Sequence, residues 1–183
     1  MDTEYEIRVL EVNVKDLENK LNNIGAIKIG EFHQKRYVYD LNPIQKGKWI
    51  RLRTNGKKTT LTYKDIISNT VDGTKEVEVE VDSFDKTNIF LEKIGFKSRS
   101  YQENKRIQYK FNDIEIDIDS WPLIPSYLEI EGPNKESVIN MLEVLNLPKE
   151  KTTTYNCDDI YKEFYNIDIN QIKELKFEEK ENK

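Results

Sequence analysis

Sulfur and imidazole are nearly missing from this chain of 183 residues, which has one cysteine, Cys157, and one histidine, His33. An internal disulfide is thereby excluded, and so is any Cys/His metal cluster. A metal held by this sequence has to be held by oxygen, which selects magnesium, manganese or calcium. No apolar run is long enough to span a bilayer. The opening residues, M-D-T-E-Y-E, have neither a basic nor an apolar leader region. These absences lead us to expect a cytoplasmic protein with no membrane partner. Cationic excess is missing as well: 34 acids against 29 bases leave a net charge of −5 and a pI of ≈ 5.2. That balance argues against nucleic acid as a partner. The length suits one large domain or two small ones with a real core.

What the chain has is alternation. From Ile114 to Gly132 it reads I-E-I-D-I-D-S-W-P-L-I-P-S-Y-L-E-I-E-G. Ile114, Ile116 and Ile118 interleave with Glu115, Asp117 and Asp119, and after the Trp-Pro turn Leu128 and Ile130 interleave with Glu129 and Glu131. A period of two sends alternate side chains to opposite faces of a strand. Each strand therefore has one apolar and one acidic face. Like charges facing each other on paired strands repel, so a positive group should meet these carboxylates. A divalent metal is the economical one.

The same pattern recurs along the chain. Strands are expected over Glu4–Leu10, Gln34–Tyr39, Trp49–Thr54, Thr59–Lys64, Glu76–Asp82 and Lys105–Phe111. Helices are expected over Lys15–Ile24 and Asp85–Ile94, stopped by Gly25 and Gly95, and over Lys135–Leu145. Short helices are expected at Asp158–Tyr165 and Gln171–Phe177, with a frayed tail at Glu178–Lys183. A faint repeat is also present. Glu4-x-Glu6, a helix, Gly25 and Q-K-R-Y-V-Y are echoed by Glu76-x-Glu78, a helix, Gly95 and N-K-R-I-Q-Y, and more weakly from Glu129-x-Glu131 onward.

Charges are sorted strand by strand. Acids dominate Glu4/Glu6, Glu76–Asp82, Glu115–Asp119 and Glu129/Glu131, whereas bases dominate Arg51/Arg53, Lys64 and Arg106–Lys110. Helices can cover only the apolar faces. Two arrangements follow: an open antiparallel sheet with one wet, ion-paired face, or a sheet curled closed around a charged lumen. A lumen with cations on some walls and carboxylates on others suits a polyanion bound with its own metal.

Taken together, these segments resemble the CYTH domain, or triphosphate tunnel metalloenzyme family, which includes class IV adenylate cyclases and thiamine triphosphatases. Its Glu-x-Glu-x-Lys signature stands here as Glu4-Tyr5-Glu6-Ile7-Arg8, with Arg in the Lys position. W-I-R-L-R ending at Arg53 and L-T-Y-K ending at Lys64 look like its paired-arginine and lysine strands. K-E-V-E-V-E resembles its central acidic strand, and I-D-S-W-P-L-I-P-S-Y-L-E-I-E its Asp and Glu-x-Glu strands. The resemblance implies an α+β fold, a closed eight-stranded antiparallel barrel with flanking helices, as one CYTH-like domain over residues 1–177.

By position, the resemblance implies metal or supporting carboxylates at Glu4, Glu6, Asp119, Glu129 and Glu131, with Glu4, Glu6, Glu129 and Glu131 at the chemical step. Glu76 and Glu78 would orient the bases or serve a second metal site. Phosphates would be held by Arg8, Arg51, Arg53, Lys64 and Arg106, joined by Lys35 and Arg36. Many members carry an Asp near Arg36, so this chain departs there and gains a cation at the lumen mouth.

The implied activity is a Mg2+- or Mn2+-dependent triphosphatase acting on tripolyphosphate, thiamine triphosphate or a nucleoside triphosphate. A class IV adenylate cyclase shares the machinery, and a non-catalytic polyphosphate sensor is a third reading. His33 is expected to be structural or exposed, and Trp121 to pack at the barrel end. The oligomeric state stays open, a homodimer included.

Overall fold

The computed structural model describes residues 1–178. Its main strands are β1 (Asp2–Val9), β2 (Ile27–Asp40), β3 (Lys48–Thr54), β4 (Thr59–Ile66), β5 (Thr74–Glu80), β6 (Ser98–Phe111), β7 (Ile114–Ser120) and β8 (Tyr127–Gly132). They pair in the order β6-β2-β3-β4-β5-β1-β8-β7, and β7 returns to β6 to close an antiparallel barrel. Two-residue strands β9 (Thr152–Thr153) and β10 (Glu174–Leu175) add to β1 and β6. Helices α1 (Val14–Asn23), α2 (Phe84–Lys93) and α3 (Lys135–Val144) lie against the outside, whereas the start of α4 (Cys157–Tyr165) lines the lumen with Cys157 and Asp158. The closed barrel is the arrangement expected, and it settles the choice against an open sheet.

The core sits between barrel and helices, and the barrel interior is polar. Val9, Ile116, Ile118, Leu128 and Ile130 point outward and are covered by Leu17 and Leu21 of α1 and Val138, Met141 and Leu142 of α3. Leu91 of α2 covers Tyr39 and Leu52, and Ile160 and Tyr161 of α4 cover Leu10, Trp121 and Tyr127. Each such side chain contributes about 1.5–3 kcal/mol through burial. Each helix begins on an Asn or Ser whose side chain accepts a backbone N–H: Asn13, Ser83, Asn134 and Asn156. Such caps are worth about 1 kcal/mol apiece.

The repeat in the sequence is real in the fold. β1-α1-β2-β3-β4 and β5-α2-β6-β7-β8 have the same order, and the two units exchange their first strands: β1 lies between β5 and β8, β5 lies between β4 and β1, and β2 pairs with β6. Gln34 pairs with Asn104 and Thr3 with Lys75, which places the repeated N/Q-K-R and Glu-x-Glu motifs on either side of a local two-fold. The third, fainter copy has only the two-residue β9 after its helix.

One seam of the barrel is short, since β1 and β5 pair only at Asp2, Thr3 and Glu4. The loop before β5 seals the rest, with Val71 O accepting the Glu6 N–H at 2.9 Å. That loop folds so tightly that a Cβ on Gly73 would lie 1.9 Å from Ser68 O.

Two expectations need correction. β2 and β6 each run 14 residues, about twice the alternating segments that announce them. Gln171–Phe177 is not a helix: a 3-10 turn (Ile169–Gln171) leads into β10, which lies parallel to β6 and buries Leu175. The tail expected from Glu178 falls, after that residue, outside the described residues.

Candidate active site

Because β-strand side chains alternate, each strand of the closed barrel sends every second residue into the lumen. The resulting cavity of ≈ 380 Å³ is lined by charge. Glu4 and Glu6 come from β1, Asp117 and Asp119 from β7, Glu129 and Glu131 from β8, and Glu76 and Glu78 from β5. Arg36 comes from β2, Arg51 and Arg53 from β3, and Lys64 from β4. Arg8 and Arg106 stand on the acidic side.

The two repeats supply opposite charges at matching places. On one half Arg36 lies across from Arg53, and on the other its counterpart Arg106 lies across from Asp119. One step along, Arg51 occupies the register position that Asp117 occupies in the second half. One fold unit used twice thus gives a cationic wall facing an anionic one.

The cations fall into two groups. Lys64 Nζ is 2.8 Å from Glu4 and 3.2 Å from Glu76. Arg8 bridges Glu6 (2.7 Å) and Glu129 (2.6 Å), and its Nη1 donates to Tyr155 O at 2.9 Å. Arg106 touches Asp117 (2.5 Å), Asp119 (2.6 Å) and Glu129 (3.1 Å). Burial alone would lower these two guanidinium pKa values, but the surrounding carboxylates raise both well above the usual value. Burial would likewise raise Glu129; Arg8, Arg106 and Lys64 outweigh it and hold the carboxyl well below the usual range.

Arg36, Arg51 and Arg53 differ. Among the described residues Arg36 makes no ion pair; it donates to Asn104 Oδ1 and Gln34 Oε1 and lies 4.5 Å over the Trp121 ring. Among the described residues the one carboxylate that Arg51 and Arg53 reach is Glu78, at 3.4 and 3.8 Å, and Arg51 Nη2 also donates to Thr62 Oγ1 at 3.3 Å. Burial, reinforced by repulsion from neighbouring arginines, pushes Arg36 down to about 10 and Arg53 down to about 9. Arg36 Nε, Arg51 Nε and the Trp121 Nε1 are buried donors with no hydrogen-bond partner among the described residues. Unsatisfied buried donors and an unpaired buried charge are costly. An anion in the lumen would relieve both costs.

Glu131 is the mirror case. Among the described residues it has no ion-pair partner, and burial with repulsion from Glu4, Glu129 and Glu6 pushes its pKa up to about 8. Asp117, whose Oδ1 has no hydrogen-bond partner among the described residues, is raised to about 7 by burial and Asp119 despite Arg106. Oxygen donors that repel each other fit a hard divalent cation. Glu4, Glu6, Glu129 and Glu131 are the residues that would hold it. Among the described residues no group of three such side chains stands ready to hold a metal ion. Arg8, Arg106 and Lys64 already draw Glu4, Glu6 and Glu129 to themselves.

Every residue singled out from the sequence lines the lumen except Lys35. Lys35 follows Gln34 and precedes Arg36, both inward, so the period of two turns it to the outer face, where it is exposed. Arg36 is not at the lumen mouth but buried inside, at 7% exposure. Sequence reasoning passed over Asp117, which shares Asp119's face two residues away. It also missed Thr62, whose Oγ1 donates to Glu78 at 2.6 Å, and the amides Gln34, Gln102 and Asn104. Neutral polar side chains carry no charge pattern to announce them. Trp121 packs edge-on against Tyr161 as well as under Arg36, and His33 is exposed beside Glu103.

The site is thus a closed barrel whose lumen has opposed cationic and carboxylate walls. The sequence profile of the CYTH domain matches residues 2–178, and the chain belongs to that family. Solved structures share the fold. PH1012 from Pyrococcus horikoshii OT3 is 24% identical with a TM-score of 0.73, over 84% of this chain and 96% of its own. An adenylate-cyclase candidate from Vibrio parahaemolyticus is 15% identical with a TM-score of 0.75, over 91% and 99%. HpAC1 from Hippeastrum, an adenylyl-cyclase candidate with a dominant triphosphatase activity, is 14% identical with a TM-score of 0.60, over 91% and 96%. A search of curated proteins found no match. CYTH proteins are metalloenzymes, and triphosphatases and adenylate cyclases are both among them. No helix among the described residues is long and apolar enough to cross a membrane.

Proposed function

We propose that this chain is a divalent-metal-dependent triphosphatase that binds a linear triphosphate in its lumen. The observation that carries the reading is the trio Arg36, Arg51 and Arg53, buried or half-buried and left without full compensation by any carboxylate. Guanidinium groups match phosphate oxygens in geometry and charge. The trio would fix the phosphate chain along the β2/β3 wall, and Lys64, Arg8 and Arg106 would take up charge spreading during transfer. Glu4, Glu6, Glu129 and Glu131 would hold Mg2+ or Mn2+, which when bound neutralises phosphoryl oxygens and lowers the pKa of water. Glu76 and Glu78 orient Lys64 and the β3 arginines, and Asp119 orients Arg106.

Hydrolysis is favoured over cyclisation because the Trp121 ring, one of the aromatic faces lining the lumen, is covered by Arg36 and cannot stack a base. The adenylate-cyclase reading keeps one supporting observation. Val38, Trp49 and Ile66 form an apolar stretch of the lining beside Lys64 and Arg51, a surface that an adenine could use.

The test is product analysis by phosphorus NMR after incubation with Mg2+ or Mn2+ and, separately, tripolyphosphate or ATP. Orthophosphate from tripolyphosphate with little change in ATP is expected. Pyrophosphate with cyclic AMP from ATP would make the protein a cyclase. Silence in both tubes with metal bound would make it a sensor.

A further inference from the structure

The charged walls are not independent in the resting protein. Six of the eight lumen carboxylates named above are pulled against Lys64, Arg8 or Arg106 at 2.5–3.2 Å, namely Glu4 and Glu76, Glu6 and Glu129, and Asp117 and Asp119. The carboxylates suited to a divalent cation are thus tied by the cations suited to phosphate. What is left open is the Arg36, Arg51 and Arg53 trio on one side and Glu131 on the other.

We infer that the lumen is held shut by its own ion pairs, so that metal and triphosphate each bind weakly alone and strongly together. The inference rests on the triphosphate-lumen reading above. A triphosphate landing on the arginine trio offers Arg106, Lys64 and Arg8 alternative anions. As those cations turn to phosphate, Glu129, Glu4 and Glu6 are left uncompensated in a low-dielectric space and, with Glu131, recruit the metal. A metal arriving first has the reverse effect and frees the cations. Linkage requires the two enhancements to be equal. A resident ion pair here acts as a lock that each ligand opens for the other. It also disfavours capture of free Mg2+ or free inorganic anions, since neither alone removes both members of a pair.

The ion pairs predict opposite behaviour for two arginines that occupy equivalent places in the repeat. Arg106 ties up three carboxylates, and Arg36 ties up none. Arg106→Gln should therefore raise the affinity for Mn2+ alone, read by electron paramagnetic resonance of free Mn2+, by roughly 5- to 150-fold. Arg36→Gln should leave Mn2+ affinity unchanged and weaken binding of a methylene-bridged tripolyphosphate in EDTA, read by calorimetry. If the Arg106 variant does not fold, Lys64→Met releases Glu4 and Glu76 and should likewise raise Mn2+ affinity. Folding is checked by a cooperative melt. Unchanged or weaker Mn2+ binding in a folded Arg106→Gln or Lys64→Met protein overturns the lock and leaves the triphosphatase reading standing. Failure of the wild-type protein to bind the analogue, with or without Mn2+, overturns the triphosphate reading itself.

Discussion

Glu131 is held where other carboxylates repel it, and it has no ion-pair partner among the described residues. Replacing it by Gln removes that repulsion while keeping shape. Glu131→Gln is expected to raise the melting temperature of the metal-free protein by about 2–4 °C, the shift that about 1 kcal/mol produces at this size. The same variant is expected to lose tripolyphosphatase activity by roughly a hundred-fold. Stability and activity moving in opposite directions is the mark of a residue kept for its ligand; a drop in both would make Glu131 structural. Arg53 belongs to the same class on the opposite wall, its pKa depressed to about 9 by burial and neighbouring arginines. Arg53→Gln should raise the Michaelis constant for tripolyphosphate by roughly 10- to 100-fold, the value of a charged hydrogen bond. Steady-state kinetics check this, and an unchanged constant would remove Arg53 from the phosphate wall.

At the scale of elements, the loop that seals the β1/β5 seam is the most demanding piece of backbone. Gly73→Ala would place a methyl carbon against Ser68 O, and it should destabilise the fold by about 1–3 kcal/mol in urea unfolding. A neutral result would show that the loop can open without disturbing the barrel. Elements also divide by how well they could be read. β1, β3, β4, β5, β7 and β8 alternate a charged lumen face with an apolar outer face, and that contrast is legible in a single sequence. The first half of β6 is not legible, because its inward residues are Ser100, Gln102 and Asn104, polar but uncharged. The start of β2 is hidden for a different reason: Ile27 and Ile29 are apolar yet exposed at 67% and 50%. β10 was misread because Gln171–Phe177 has a helical spacing of apolar residues, and the edge of β6 beyond β7 offers it backbone partners instead. The lumen carboxylates could be located from the sequence, but their pairing could not, since which cation meets which acid depends on barrel register. Lys35 shows the limit on the other wall, for one residue's shift along β2 separates a lumen cation from a surface one.

At the scale of the whole molecule, the lumen makes metal-free stability depend on pH in an unusual direction. Glu131 and Asp117 have folded pKa values of about 8 and about 7, above their ordinary 4.5 and 3.8. The native state then binds more protons than the unfolded state across that window, so its stability falls as pH rises. In EDTA the melting temperature should decline from about pH 5 to pH 8, and Mn2+ with tripolyphosphate should flatten the decline. A rise over the same range would mean that the acidic wall is compensated within the protein. One β-α-β-β-β unit is used twice, with arginines in the first copy where the second has aspartates, and closure turns the two copies into facing walls.

The most direct test of this two-wall account is anomalous diffraction from crystals grown with Mn2+ and a methylene-bridged tripolyphosphate. The account predicts Mn2+ among Glu4, Glu6, Glu129 and Glu131, with the phosphate chain along Arg36, Arg51 and Arg53. Phosphate bound outside the lumen, or Mn2+ on any other residues, would contradict it.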